Sequence, residues 1–406
     1  MASHSGTPET VRNPGVYAIP SGLRNLLVVF TAVGIACFAG GLAVDAKRTW
    51  FSFLHNHFYF MSLGLGGAFF AVLQWLTGAM WSAPIRRVAE SFTAYIPVAL
   101  VTFLILYAGM LIQGDHGIYI WNNPALVRGD IILLGKAAYL NPTFFMIRNV
   151  IALGLMIFLT RKMVGNSLLQ DTTRDPLLSR RNQALAPAFM MVFTIGFTMA
   201  SFDQLMSLDP HWFSTMFGVY CFSGLFYSVL ALICVVSVLL KRSGNLAGIV
   251  NENHLHDLGK FMFAFTVFWA YIGFSQFMLI WYANLPEETS YFMHRMNGGW
   301  MPVSIFLLAG KFLVPFFFLL PRDAKRNEKL LIGVGSFMLF AQWVDMLWIT
   351  QPQLNAEGPV ISWIEIGTAL GFVGIFGLVI ARFLARNNIV AIGDPRLAES
   401  VFHHHQ

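Results

Sequence analysis

The residues best suited to chemistry are ionisable side chains within or beside long apolar runs. They are Asp203, Asp209, His211, Glu287, Glu288, Lys311, Asp345 and Glu365. An ionisable side chain at mid-bilayer costs about 2.5–3.5 kcal/mol on insertion scales, so each is a functional candidate. Along the predicted helices the six carboxylates fall toward one membrane face, and Lys311 is the deepest charge. Burial can raise the pKa of a carboxyl group toward neutrality, so that the group exchanges protons. These acids therefore predict a polar route for protons that starts at that face.

A simpler role for the same charges is helix packing. Asp345 or Asp203 could pair with Lys311 or with a backbone group, and such a pair fixes how two helices face each other. Gln342 and Asp345 are three residues apart, so they share one helix face with Trp348. For any one residue, both proton transfer and helix packing stay open. Six acids on one side favour the proton route for the group as a whole.

No motif indicates a cofactor bound by this chain. Cys37, Cys221 and Cys234 stand singly, so neither a disulfide framework nor a zinc or iron–sulfur site is predicted. His55 and His57 are expected at the outer mouth of the second span. No histidine is expected inside a span, which argues against a membrane haem.

Two more charged clusters are predicted on the inner side. The cluster before the seventh span is interpreted as a solvated loop in preference to a metal site, and it comprises Glu252, His254, His256 and Asp257. The cluster after the second span is expected to anchor a turn at the lipid headgroups, and it comprises Arg86, Arg87 and Glu90.

The composition requires a membrane to position these residues. Of 406 residues, 56% are apolar, 15% are aromatic and only 11% are charged. Soluble domains carry about 25% charged residues, so a soluble enzyme and a nucleic-acid-binding domain are excluded. Ten apolar stretches are long enough to cross a bilayer as helices. They cover residues 24–44, 57–82, 92–113, 143–161, 185–207, 212–240, 260–283, 299–321, 329–350 and 360–383.

The distribution of Lys and Arg predicts the orientation. With the N-terminus inside, nineteen of the 26 basic residues fall in inner segments and six in outer segments, while Lys311 lies within a span. Inner loops of membrane proteins carry the excess of Lys and Arg, so both termini are predicted to be cytoplasmic. The chain is therefore expected to be a multi-pass membrane protein, and a bacterial cytoplasmic membrane is implied only by the family resemblance carried by the two motifs at 207–220 and 274–292.

The spans predict an all-α polytopic protein with an internal repeat. Spans two to five (57–211) and six to nine (212–350) would form two four-helix bundles, both beginning on the outer side. One flanking helix with its outer loop (24–56) precedes them, after a cytoplasmic segment at 1–23. The last flanking helix and a cytoplasmic tail occupy 351–406.

Two longer motifs carry a family resemblance. One is SLDPHWFSTMFGVY at 207–220, where Asp209-Pro210 ends one helix and allows the next to start. The other is FSQFMLIWYANLPEETSYF at 274–292, with an interfacial pair, Trp281 and Tyr282. Together with the ten spans, these two motifs resemble the ActF-type membrane subunits of alternative complex III. The resemblance covers about residues 20–385. These belong, with the related ActC type, to the NrfD/PsrC-like family of quinone-interacting membrane proteins.

The resemblance implies a place in a quinol:electron-acceptor oxidoreductase of a respiratory or photosynthetic chain. It implies two four-helix bundles and one extra helix at each end. The expected partners are an ActC-like quinol-binding subunit, an iron–sulfur protein, multihaem cytochrome c subunits and other small membrane subunits, with a terminal oxidase as a further candidate. Iron–sulfur clusters, c-type haems and menaquinol or another quinol would belong to those partners, and this chain would contact lipids.

The resemblance also implies a non-redox role for this chain. Quinol-oxidising relatives present a His and acids inside the first bundle, whereas span two here reads LGLGGAFFAVLQW at 63–75. Asp203 matches an acid position of the family. The ActF-type subunit is thought to lack a quinol oxidation site and to support assembly and part of a proton route.

Two other functions stay open. The first is a quinone-binding subunit in its own right, with Asp203, Gln276 and Tyr282 lining a pocket. The second is a secondary transporter with a substrate site between the bundles. Transporters of that kind often show helices broken near the midplane, but here Pro97 and Pro315 lie near span ends.

Overall fold

The computed structural model describes residues 13–401, so Arg12 and the ends of both predicted terminal segments lie outside the described residues. Within this range no strand forms, and ten helical segments are long and apolar enough to cross a membrane. The predicted all-α polytopic fold is thereby confirmed.

The helices follow one another with short connections. Their bounds are α1 Ser21–Val44, α2 Ala46–Thr77, α3 Ala83–Phe92, α4 Ile96–Gln113, α5 Pro124–Gly129, α6 Ile131–Lys136, α7 Pro142–Thr173, α8 Pro176–Gln204, α9 Phe217–Arg242, α10 Glu252–Ala283, α11 Pro286–Met296, α12 Trp300–Phe306, α13 Val314–Leu319, α14 Glu328–Thr350, α15 Trp363–Arg386 and α16 Leu397–Val401. A 3-10 turn joins α3 to α4, and a π-helical segment, Leu307–Leu313, joins α12 to α13. Each pair therefore forms one span.

The spanning helices form two four-helix bundles. In the first bundle α2 packs against α3, α4 and α8, while α7 packs against α4 and α8. In the second bundle α9 packs against α10 and α14, and the α12–α13 span closes the ring. The bundles meet where α9 contacts α2 and α8. The ends of the bundles predicted to face the periplasm are called the outer ends below.

The two flanking helices pack against each other and against α2. Glycines line this contact and allow the two backbones to approach closely. Gly34 and Gly371 face each other so closely that a β-carbon on either would overlap the other helix's backbone. Small residues allow such approach between membrane helices. The flanking helices α1 and α15 thus form a tightly packed pair beside the first bundle.

The second helix begins eleven residues before the predicted start of its span. Asp45 caps α2 by accepting a hydrogen bond from the backbone N–H of Arg48 at 3.0 Å. Polar residues in the first turns lower the local hydropathy, so the apolar run starts only at 57. From Thr49 onward those polar residues face protein, and α2 is buried along most of its length.

Candidate functional site

The deepest charge of the chain forms an ion pair within the second bundle. The Nζ atom of Lys311 lies 2.5 Å from Oδ2 of Asp345, and the hydroxyl of Tyr220 donates to Oδ1 at 2.6 Å. Lys311 and Asp345 are both 0% exposed. The indole of Trp269 faces the ammonium, with 4.1 Å between Nζ and the ring centroid. Lys311, Asp345 and Tyr220 are called the Lys311 site below.

A break in helical regularity positions the lysine. Lys311 lies in the π-helical segment Leu307–Leu313, which Pro315 follows in the first turn of α13. A π-helical turn widens the backbone and shifts the side chains that follow it, and such turns are frequent at functional sites. Asp345 comes from α14 and Tyr220 from α9, so three helices of the second bundle build the site.

An apolar cavity of about 320 Å³ adjoins the Lys311 site. It lies between α9, α10, α11, α12 and α14, with the start of the π-helical segment, and its walls are mainly aromatic. The polar or amphipathic residues on its lining are Tyr220, Trp269, Gln276, Tyr291, Ser304 and Trp348. Because Tyr220 borders the cavity and also bonds Asp345, the phenol connects the cavity to the ion pair.

Asp203 lies in the other bundle and has a different partner. The guanidinium of Arg148 grips both carboxylate oxygens, at 2.8 and 3.0 Å, and Asn149 donates to Oδ2 at 3.0 Å. The amide nitrogen of Gln204 donates to Asn149 at 2.9 Å. Arg148, predicted as an outer-segment charge, is buried within α7. Asp203 is therefore not the partner of Lys311, whereas Asp345 is.

The remaining predicted route residues lie near the outer surface. Glu287 is exposed and Glu288 and Asp209 are half-buried. The exposed ring of His211 contacts Asp130 at 2.5 Å, and this hydrogen bond holds the pKa of Asp130 below its ordinary value. The structure does not gather these side chains into a single cluster.

Glu365 is buried at the start of α15, where it binds Arg48 and so holds two helices together. Arg48 binds both of its carboxylate oxygens at 2.7 Å, which is a bidentate pair. The same carboxylate accepts the backbone N–H of Ser362 at 2.8 Å, as in a capping box. This pair fastens the flanking helix α15 to the first turn of α2.

The three residues predicted for a quinone pocket are also separated. Gln276 lines the cavity of the second bundle. Tyr282 is 85% exposed at the end of α10, and Asp203 belongs to the first bundle. Of the three, only Gln276 lies on a cavity wall beside a buried charge.

Two expectations about histidines are wrong. His55 and His57 lie about three turns inside α2, and both are buried, so histidines do occur within a span. The Nδ1 atom of His57 contacts the hydroxyl of Thr102 at 2.7 Å in the first bundle. The ring of His55 packs on Trp343, with 4.7 Å between centroids. The first bundle therefore contains a histidine as well as the acid Asp203.

The inner-side clusters are more enclosed than expected. Arg86, Arg87 and Glu90 are fully buried, so they do not anchor a turn at the headgroups. Asp394, from the segment after α15, binds Arg86, and Asp171 binds Arg87 at 2.9 Å. Burial alone would raise the pKa of Asp394, but Arg86 holds it below the ordinary value. The chain after α15 therefore seals the inner end of the first bundle.

The cluster before the seventh span is partly buried. The ring of His254 is buried between the start of α10 and Ser400, and Asp257 binds Lys260 at 2.6 Å. Residues 13–401 contain no group of three or more His, Cys, Asp or Glu placed to hold a metal ion.

The fold and the site define an integral membrane protein with ten spanning helical segments within residues 13–401 and a buried lysine–carboxylate pair. Neither a scan against protein-family models nor a search of curated proteins finds a match for the chain.

Proposed function

We propose that this chain is a non-redox membrane subunit of a quinol:electron-acceptor oxidoreductase and that its Lys311 site takes part in proton transfer. The observation that carries the proton-transfer role is the buried contact of Lys311, Asp345 and Tyr220. Intramembrane ionisable pairs that face a bundle interior are typical of proton relays.

The chemistry follows from the three groups. A proton moving from the ammonium of Lys311 to the carboxylate of Asp345 converts an ion pair into two neutral groups. The net charge of the site stays zero in both states, so neither state leaves an isolated charge in a low-dielectric interior. The Tyr220 hydroxyl holds the other carboxylate oxygen and lies on the cavity wall, where a proton can be exchanged.

The place in a redox complex rests on the two motifs that resemble ActF-type subunits. In the fold they meet at the outer end of the second bundle, although they are distant in sequence. Trp212, from the first motif, stacks on Tyr291, from the second, with 3.8 Å between ring centroids. Tyr291 in turn lines the cavity beside the Lys311 site. The two motifs that carry the resemblance therefore lie together next to the Lys311 site.

The proposed membership of a redox complex is tested by identifying the proteins that co-purify with this chain. Membranes of the source cell are solubilised in mild detergent, the chain is purified through a tag, and co-purifying proteins are identified by mass spectrometry. The proposal expects multihaem cytochrome c and iron–sulfur subunits together with an ActC-like membrane subunit. Purification of the chain alone, with solute uptake by the chain in liposomes, would contradict it and favour a transporter.

The cavity supports quinone binding as a second candidate function. A flat lipophilic ring fits aromatic walls, and Gln276 supplies a hydrogen bond within 320 Å³ of space. A photoreactive quinone analogue would then label α9 or α10 at the cavity wall. Gln276→Leu is expected to weaken labelling. Gln353→Leu, a polar-to-apolar change outside the cavity lining, serves as the control. Equal labelling of both variants would exclude this candidate.

A further inference from the structure

A groove between α4, α7 and α15 lies apart from the Lys311 site. Its volume is about 330 Å³, within the range of small-ligand sites. It forms where the 3-10 turn Thr93–Tyr95 and the first turn of α4 face α7, and Phe383 of α15 also lines it. Arg161 and Gly165 line the groove and are exposed, so the groove opens at the surface of the chain.

The groove lies at the level of a membrane boundary. Of the three predicted spans that line it, one starts at residue 92 and the others end at residues 161 and 383. All three of these ends are on the predicted inner side, and the lining residues lie close to them. A molecule bound in the groove would therefore meet lipid headgroups at one end and hydrocarbon at the other.

The helix α7 presents one face to the groove, on which a charge lies among apolar residues. Ile157, Val164 and Leu168 recur at three- to seven-residue intervals, with Arg161 and Gly165 in the same stripe. A β-carbon at Gly165 would meet no atom within 4 Å, so the glycine leaves open space one turn from Arg161. An apolar wall with a guanidinium on its edge suits an amphiphile that has an anionic head.

The helices that line the groove supply no acid to balance Arg161. Asp171 of α7 and Glu365 of α15 are the acids of α4, α7 and α15, and each is bound by another arginine. Arg382 and Arg386 add exposed positive charge at the inner end of α15. Basic pockets between membrane helices on the inner side bind anionic lipid headgroups. The local charge therefore favours an anionic ligand.

Thr160 adds an unused hydrogen-bond donor to the wall of the groove. It precedes Arg161, lines the groove and is 4% exposed. Thr266 and Thr350, in other spans, donate to the carbonyl four residues earlier at 2.8 and 2.9 Å. The buried hydroxyl of Thr160 makes no such bond and has no partner within residues 13–401. A phosphate oxygen beside Arg161 would give this hydroxyl an acceptor.

We propose that this groove binds an anionic phospholipid, with the phosphate group at Arg161 and one acyl chain along Ile96, Pro97 and Ile157. The planar guanidinium matches the oxygens of a phosphate group and holds them by charge-assisted hydrogen bonds. A zwitterionic lipid carries the same phosphate, but its ammonium group offsets the attraction of the surrounding arginines. The site is independent of the proposed redox complex and of the Lys311 site, because it uses other residues and is tested on this chain alone.

The lipid is located by photochemical labelling of the full chain. The chain is reconstituted in nanodiscs of phosphatidylcholine that contain a small fraction of phosphatidylglycerol with a photoreactive group in its acyl chain. After illumination, the labelled peptides are identified by mass spectrometry. The expected label lies on residues 93–97 and 157–168, and the same probe built on phosphatidylcholine should label them much less.

Two pairs of variants separate a defined site from general attraction to a basic surface. Arg161→Gln should lower the labelling about tenfold, because it removes a charge-assisted hydrogen bond. Lys162→Gln removes the neighbouring exposed charge outside the lining and should leave the labelling unchanged. Gly165→Leu should fill the groove and lower the labelling. Gly154→Leu, at a glycine of α7 with open space outside the lining, is its control.

Three results would overturn the proposal. Equal loss of label in Arg161→Gln and Lys162→Gln would show diffuse attraction between basic residues and anionic lipid. Release of the probe by inorganic phosphate would assign the groove to the free anion. Equal labelling by the phosphatidylglycerol and phosphatidylcholine probes would show that the groove does not select an anionic headgroup.

Discussion

Removal of one member of the Lys311 site should cost far more stability than removal of both charges. Asp345→Asn leaves a buried ammonium without a counter-charge, and breaking a buried pair in this way typically costs about 3–5 kcal/mol. The structure supports the upper part of this range, because Lys311 and Asp345 are 0% exposed. An upper bound is the cost of removing the lysine proton at pH 7, about 4–5 kcal/mol from a reference pKa near 10.4.

The double variant Lys311→Met/Asp345→Asn removes the unpaired charge and should regain most of that loss. Replacing a whole buried pair with uncharged side chains is often neutral or stabilising by about 1–4 kcal/mol. The free energy of unfolding of the purified chain in mixed micelles is measured for the single variants Asp345→Asn and Lys311→Met and for the double variant. The coupling between the two sites should exceed about 2 kcal/mol. Single and double variants with equal stability would refute the buried ion pair as the element that joins α14 to the α12–α13 span.

Three further predictions concern polar contacts at the ends of the bundles. Asp394→Asn should cost about 1–3 kcal/mol, because buried Arg86 loses one charged partner but keeps Glu90 at 3.2 Å, and it should make the chain after α15 sensitive to limited proteolysis. Because the pKa of Asp394 is lowered, its contribution is present above the unfolded value and is lost as pH falls through the folded one. His211→Ala should raise the acid pKa of Asp130, and hydrogen exchange in α5 and α6 should then increase at a higher pH than in the unmodified chain. Glu365→Gln should cost about 1–3 kcal/mol in thermal unfolding, since it removes the charged bidentate contact with Arg48, whereas the amide oxygen of the glutamine still accepts the Ser362 N–H of the capping box.

The sequence was sufficient to predict the fold class. Length and hydropathy alone locate ten spans, because a bilayer requires long uninterrupted helices whatever their partners are. The start of α2 was missed for a related physical reason. Hydropathy measures transfer to lipid, whereas the polar residues of these first turns, including His55 and His57, face protein.

The partners of the intramembrane charges could be predicted only in part. Asp345 or Asp203 was expected to pair with Lys311 or with a backbone group, and Asp345 does pair with Lys311. The partner of Asp203 was missed because Arg148 was counted as an outer-segment charge, although it falls within the predicted span 143–161. Helix rotation decides which of these side chains meet, and spacing along one helix contains no information about the rotation of its neighbours.

The cavity and the π-helical segment have no clear signal in the sequence. Leu307–Leu313 includes Gly310, a weak helix former, and Pro315 follows one turn later, but neither residue by itself predicts a π turn. Within this segment Lys311 reaches Asp345 on a neighbouring helix. The cavity depends on how several helices diverge, which is a property of their packing.

The most direct test of the proposed function is the number of protons translocated per electron by the purified complex in proteoliposomes. The double variant Lys311→Met/Asp345→Asn is compared with the unmodified protein, and Asp115→Asn, a change at an exposed acid outside the predicted route, serves as the control. We expect the double variant to assemble with the same subunits but to translocate fewer protons per electron, and the control to be unchanged. An unaltered ratio in a fully assembled double variant would contradict a role of the Lys311 site in proton transfer.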